Sequence, residues 1–195
     1  MTPEMYLTFQ DARAYMSLVE RFIDGIEISP NSATILCDSR NSVQWHIMSL
    51  LPASQLEAVA PHVIQSYETY RISLIIFSVG VIFPLQPQSA PLQKLVKLLQ
   101  LELQSCAGSS RELSSSSSSS TGFDIHLWCF FMGGIAATGT QERTWFVDEL
   151  RRVYEHDAVS TWDEVRVILK SVLWLDSACD SAGKDLWNEI RRPIV

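Results

Sequence analysis

The sequence predicts an all-α fold, an irregular multi-helix bundle with a disordered Ser-rich loop, and three observations carry that reading. Apolar residues recur at three- and four-residue spacing through most of the chain, where a half-buried strand would alternate. Helix-start signatures precede several of these stretches, at Thr2-Pro3-Glu4, Ser89-Ala90-Pro91 and Thr161-Trp162-Asp163-Glu164. Between them lies an unbroken serine run, Ser114 to Ser120, with almost nothing apolar to offset the entropy of ordering it. The expected organisation is one domain in two helical parts, 1–105 and 123–195, joined by a disordered loop over 106–122.

Taken in order, Pro3 opens the first helix without losing a hydrogen bond. Phe9, Ala12, Tyr15 or Met16, Val19 and Phe22 or Ile23 keep helical spacing to a stop at Asp24-Gly25. Ser29-Pro30-Asn31 is a connection, because the residue before proline is pushed away from helical angles. A second helix spans Ser32 to Leu51. From Pro52 to Phe83 the spacing predicts another, with Tyr67, Tyr70, Leu74, Phe77 and Val81 on one face. Ile75, Ile76 and Val79 cover much of the remainder, so this helix is expected at the centre of the bundle. Pro84 and Pro87 end it. A fourth follows from Ser89-Ala90-Pro91, carrying Leu95, Leu98, Leu99, Glu102 and Leu103 to about Ser105.

Beyond the serine run, Ile125 to Gly139 is apolar and rich in aromatic residues. Thr140 is placed to cap a helix opening at Gln141-Glu142, whose stripe is Phe146, Leu150 and Val153. Thr161 and Glu164 form a capping box for a further helix, with Val165, Ile168, Leu169 and Val172 as its buried stripe. Leu175, Ala178, Cys179, Ala182, Leu186 and Ile190 form a second stripe that nearly continues it. Trp174, between Leu173 and Leu175, is the expected anchor of this pair, packed on the aromatic helix at Trp128, Phe130 and Phe131.

Composition narrows the function. The chain has 195 residues, 47% hydrophobic, with 15 basic and 22 acidic side chains and a net charge of −7. The acidic excess is shared by both sides of the loop, so neither supplies the basic surface that phosphate-backbone binding draws on. Direct nucleic-acid binding by this chain is not expected. Cys37, Cys106, Cys129 and Cys179 stand far apart with no C-x-x-C pair, which fits reduced thiols and neither a zinc cluster nor a disulfide framework. The opening Met1-Thr2-Pro3-Glu4 lacks the basic-then-apolar order of a signal peptide, so secretion is not expected. The longest apolar runs, Ile72–Leu85 and Ile125–Gly139, fall short of the roughly 18–20 residues a membrane span needs.

No constellation of reactive groups rises above its structural reading. Gly134 to Thr140 imitates a phosphate-binding loop in its glycine separation, but threonine stands where lysine must reach the phosphates and no strand precedes it. A glycine-permitted turn between helices is the expectation. Asp176 and Asp180 share a helix face, the arrangement of an acid–base pair, yet no histidine accompanies them. Asp176 is expected to hold a neighbouring helix and Asp180 to face solvent. His46, His62, His126 and His156 show no H-x-x-x-H or H-E-x-x-H spacing, and no G-x-S-x-G elbow occurs. The expectation is therefore no catalytic, cofactor-binding or metal-binding residue, and no enzyme.

Order along the C-terminal third carries a resemblance. An aromatic helix ends in the small-residue turn Met132-Gly133-Gly134-Ile135-Ala136; then come Gln141-Glu142-Arg143 with Trp145-Phe146, then Trp162, then Leu173-Trp174-Leu175-Asp176. This stretch, read on through Trp187, resembles the C-terminal end of the fungal-specific transcription factor domain, the helical regulatory region found downstream of binuclear zinc-cluster DNA-binding domains. Arg40 to Pro52 and Tyr70 to Leu85 resemble other pieces of the same region.

The resemblance implies a nuclear protein that regulates transcription by RNA polymerase II. Its implied partners are proteins of the transcription machinery or a like subunit. The six-cysteine cluster that binds zinc and DNA in such regulators is absent from this sequence, which is read as a fragment or relative without that part. Composition alone fits a second reading equally, a helical protein-interaction scaffold with no role in transcription.

Overall fold

A computed structural model describes residues 1–26, 31–56, 61–86, 88–110, 120–156 and 161–192. Eight α-helices account for most of them, in the order α1 (Pro3–Ile23), α2 (Ser32–Ser49), α3 (Pro61–Phe77), α4 (Ala90–Ser110), α5 (Ser120–Ala136), α6 (Glu142–His156), α7 (Trp162–Val172) and α8 (Asp176–Ile190). No strand occurs among the described residues, and the fold is all-α as the spacing predicts. The connections Ser29-Pro30 and Pro87 lie outside the described residues, as do 111–119 of the serine-rich loop.

Local chemistry sets the helix ends. Thr2 accepts the Met5 amide at 3.3 Å and Pro3 opens α1 without a donor to lose. At α7 the capping box is complete: the Thr161 hydroxyl accepts from the Glu164 amide at 3.3 Å, and the Glu164 carboxylate accepts from the Thr161 amide at 3.0 Å. The stretch read as one helix from Pro52 to Phe83 is divided. A single 3-10 turn covers Ala53–Gln55, α3 begins at Pro61, and a π-helical turn over Ser78–Ile82 ends it before Pro84. Helix also enters the expected loop from both ends, since α4 runs to Ser110 and α5 starts at Ser120. Extending a helix already nucleated fixes one residue per new bond, which is far easier than starting one.

The middle of the bundle is α5, where the spacing had placed α3. Helices α3, α4, α6, α7 and α8 all pack on it. From Ile125 to Gln141 it and its following turn carry no Asp, Glu, Lys or Arg. Ile125, Leu127, Trp128, Cys129, Phe131 and Met132 are buried on successive sides of the helix. By contrast α3 keeps one polar edge, where Arg71 pairs with Glu68 and the Glu68 carboxylate accepts the Ala53 amide at 2.9 Å. Burial pushes the Glu68 carboxyl up, but its hydrogen bonds to Arg71 and Ala53 outweigh that and hold it below the usual carboxylate range. The Tyr67 hydroxyl donates to the Leu51 carbonyl at 2.8 Å, bracing the end of α2 against the same edge.

Close approach at α5 depends on glycine. The Phe146 ring of α6 and the Leu99 methyl of α4 lie where a Cβ on Gly133 would project, so any side chain there overlaps both. The buried face of α4 is Leu92, Val96, Leu99 and Leu103, so Leu99 and Leu103 of the expected stripe lie on it and Leu98 is exposed. Two arginines satisfy the last carbonyls of distant helices, where positive charge complements the helix dipole. Arg13 of α1 donates to Val172 and Ser171 at 2.6 and 2.9 Å, and Arg151 of α6 donates to Ile190 and Glu189 at 3.1 and 2.8 Å. These bonds tie both ends of the chain to one core.

Candidate functional site

The glycine turn after α5 packs helices together. Gly134 lies inside the last turn of α5 with Leu186 of α8 against it, and its carbonyl accepts from Arg143. Arg143 also donates to Glu189 from Nε and Nη2, at 3.1 and 2.9 Å, so this segment fastens α5, α6 and α8 together. Those bonds to Arg143 are the main reason the Glu189 carboxyl sits below its ordinary range. Gly139 takes a φ of 79° in the turn that follows, a conformation glycine adopts without strain. The Thr140 hydroxyl does not serve as the expected cap; it donates back to the Ala137 carbonyl at 2.9 Å. Nothing here presents the row of free amides that cradles a phosphate.

Asp176 holds a neighbouring helix, as its apolar setting predicts. Arg166 of α7 reaches it at 2.5 Å and Lys170 at 2.7 Å, while its position in the first turn of α8 suits a carboxylate. Asp180, expected to face solvent, is engaged by its neighbours with its side chain 33% exposed. Its carboxylate accepts the Trp174 indole N–H at 2.7 Å and lies 3.0 Å from the Arg166 Nε, so it joins α7, α8 and the Leu173–Leu175 joint. The sequence concealed this because Trp174 is six residues upstream, off any helical repeat. Ala178, placed on the buried stripe, is exposed. The buried positions Leu175, Cys179, Leu186 and Ile190 of the second stripe follow Val172 across the non-helical joint.

The histidines are dispersed too. His46 Nδ1 lies 2.8 Å from the Asp11 carboxylate, and His126 Nδ1 lies 3.3 Å from the Tyr70 hydroxyl. The side chains of His62 and His156 fall outside the described residues, and so does that of Cys106. Cys129 and Cys179 are buried in separate helices, burial pushing the Cys179 thiol up to about 11, and Cys37 is exposed. Among the described residues no group of three His, Cys, Asp or Glu is arranged to hold a metal ion. No described helix is long and apolar enough to cross a membrane.

What remains is a surface. Tyr6 and Leu7 on α1, with Trp45, Met48 and Leu51 on and just after α2, stand exposed at one end of the α1–α2 hairpin. Phe22, Ile23 and Ile35 stand exposed at the other. Trp45, 65% exposed, departs furthest from the ordinary fate of tryptophan. Large apolar side chains are thus gathered on the α1–α2 hairpin and left open to solvent. The sequence held a signal for it: Val43, Ile47 and Leu50 are the buried positions of this stretch, and Trp45 sits two residues from its neighbours in that stripe, roughly 200° around the helix at about 100° per residue.

Against known protein families, residues 6–180 match the family described as the fungal specific transcription factor domain. No curated protein and no solved structure matches the chain. The matched span runs from the first turns of α1 through the Trp174–Asp180 joint and takes in α5, the helix on which the bundle is built. The chain therefore belongs to the fungal specific transcription factor domain family.

Proposed function

We propose that this chain is a regulatory module of a transcription regulator, working in the nucleus on genes transcribed by RNA polymerase II. It does so by contacting proteins and not by contacting DNA. The observation that carries the reading is the family match over 6–180, which spans nearly the whole described bundle. Two physical features support it. A net charge of −7 repels a phosphate backbone, and the charged clusters of α6, α7 and α8 are engaged in holding helices together. The exposed apolar hairpin α1–α2 offers a contact surface for the transcription machinery or a like subunit. On this reading the module catalyses no reaction.

Fusing the chain to a heterologous DNA-binding domain and recruiting it to a promoter tests the proposal. Transcript from that promoter is expected to change at least several-fold relative to the DNA-binding domain alone. The untethered chain is expected to leave it unchanged. A nuclear, folded fusion that does not alter transcript would favour the scaffold without a role in transcription, which would present the same hairpin surface.

A further inference from the structure

The crevice between α1 and α2 is more than an apolar patch. Along α1 its wall is formed by positions 4, 7, 8, 11, 14, 15, 18 and 22, three or four residues apart and so in a single stripe down the helix. Eighteen residues at about 1.5 Å each give a crevice roughly 27 Å long. The α2 wall runs antiparallel: Trp45 and Leu50 oppose the Leu7 end, Asp38 and Val43 the middle, and Ile35 the Leu18 end. Two open stretches of about 380 and 360 Å³ meet at the Asp11–His46 pair.

Its charge is one-sided. Glu4, Asp11 and Asp38 line it, and among the described residues no Lys or Arg does. Arg13 is engaged on the carbonyls ending α7, and Arg40 lies over the Phe83 ring at 4.5 Å, near enough to Tyr15 of the wall for its charge to act on that hydroxyl. His46, the one lining group able to carry positive charge, lies against Asp11.

We infer that this crevice seats one amphipathic helix of a partner protein, with an apolar stripe flanked by Lys or Arg. The occupant is helical because both walls are helices whose backbone groups are bonded internally, leaving no edge for an extended segment to pair with. Its length is about five turns, and its apolar anchors at i, i+3 or i+4 and i+7 fill the Leu7–Trp45 end and the open stretch along Ala14 and Leu18, since the Leu18–Ile35 end narrows to about 30 Å³. Its cations meet Glu4, Asp11 and Asp38, which sets orientation and favours encounter. The inference deepens the protein-contact reading and rests on it, naming the chemistry of the partner.

Fluorescence anisotropy with the full 195-residue chain tests it. The probes are three labelled peptides of about five turns: one with a leucine stripe and Lys/Arg flanks, one with Glu at those flanks, and one scrambled from the first so that charge persists without the stripe. The basic amphipathic peptide is expected to bind at least tenfold more tightly than either control, and to weaken as salt rises. Leu7→Glu and Trp45→Glu should each weaken it at least tenfold while leaving the thermal melt unchanged, since both side chains are exposed. Asp11→Asn with Asp38→Asn should narrow the gap between basic and acidic peptides.

Equal binding of the scrambled or acidic peptide would overturn the inference, and so would Trp45→Glu binding like the parent or no binding by the basic peptide. A dimer on gel filtration that Trp45→Glu dissociates would assign the crevice to a second copy. None of these outcomes touches the tethered-promoter result, which stands or falls separately.

Discussion

Trp128→Ala should lower stability by about 3–5 kcal/mol, the usual penalty for emptying a buried aromatic site. Trp128 is fully buried on α5 and meets three other parts of the fold. Phe9 of α1 packs against its ring at 5.7 Å, Phe77 of α3 at 6.1 Å, and its indole N–H donates to the Leu173 carbonyl in the α7–α8 joint. Alanine removes the ring from all of them and leaves a carbonyl of a residue that is 1% exposed without its donor, a further cost of about 1–3 kcal/mol. Domain stabilities are about 5–15 kcal/mol, so the variant is expected to be largely unfolded or aggregated. Trp128→Phe keeps most of the bulk and loses only the hydrogen bond, so it should fall between variant and parent. Urea denaturation followed by circular dichroism measures both. A Trp128→Ala midpoint equal to the parent's would mean that α5 is not the core.

Trp174→Ala is the second large effect expected, again about 3–5 kcal/mol. Its ring is 4% exposed, stands edge-on to Trp162 at 6.2 Å, and lies over Gly183 of α8. Asp180→Ala deletes the acceptor of the same indole and one of the two carboxylates facing Arg166. Hydrogen bonds to a charged group are worth about 1.5–3 kcal/mol, and partial exposure places this one toward the lower end. Asp180→Asn retains an acceptor and should cost less. Thermal melts order the variants: parent highest, then Asp180→Asn, Asp180→Ala and Trp174→Ala. If Trp174→Ala melts with the parent, the ring is exposed in solution and the joint is not an anchor.

Helix existence was legible in the sequence because its signals are local. Thr2-Pro3 and Thr161 with Glu164 specify where α1 and α7 begin, and Gly25 and Pro84 bound elements that end close by. The buried stripe of α7 followed from spacing alone. Non-local facts were not legible. Spacing identified apolar helices at both α3 and α5, but which one the others surround depends on Gly133 admitting Phe146 and Leu99. Asp180 looked solvent-facing because nothing local reveals the joint that brings Trp174 to it. At the hairpin, the stripe through Val43 and Ile47 places Trp45 outside, a local signal that spacing alone carries.

On the proposed reading, this module regulates transcription by a protein contact made through α1 and α2. Its most direct measurement compares two tethered fusions at one promoter, the parent chain and the chain carrying Leu7→Glu with Trp45→Glu, matched for nuclear level and thermal melt. The parent is expected to change transcript at least several-fold, and the double variant to fall to the level of the DNA-binding domain alone. Equal output from the two fusions would contradict it.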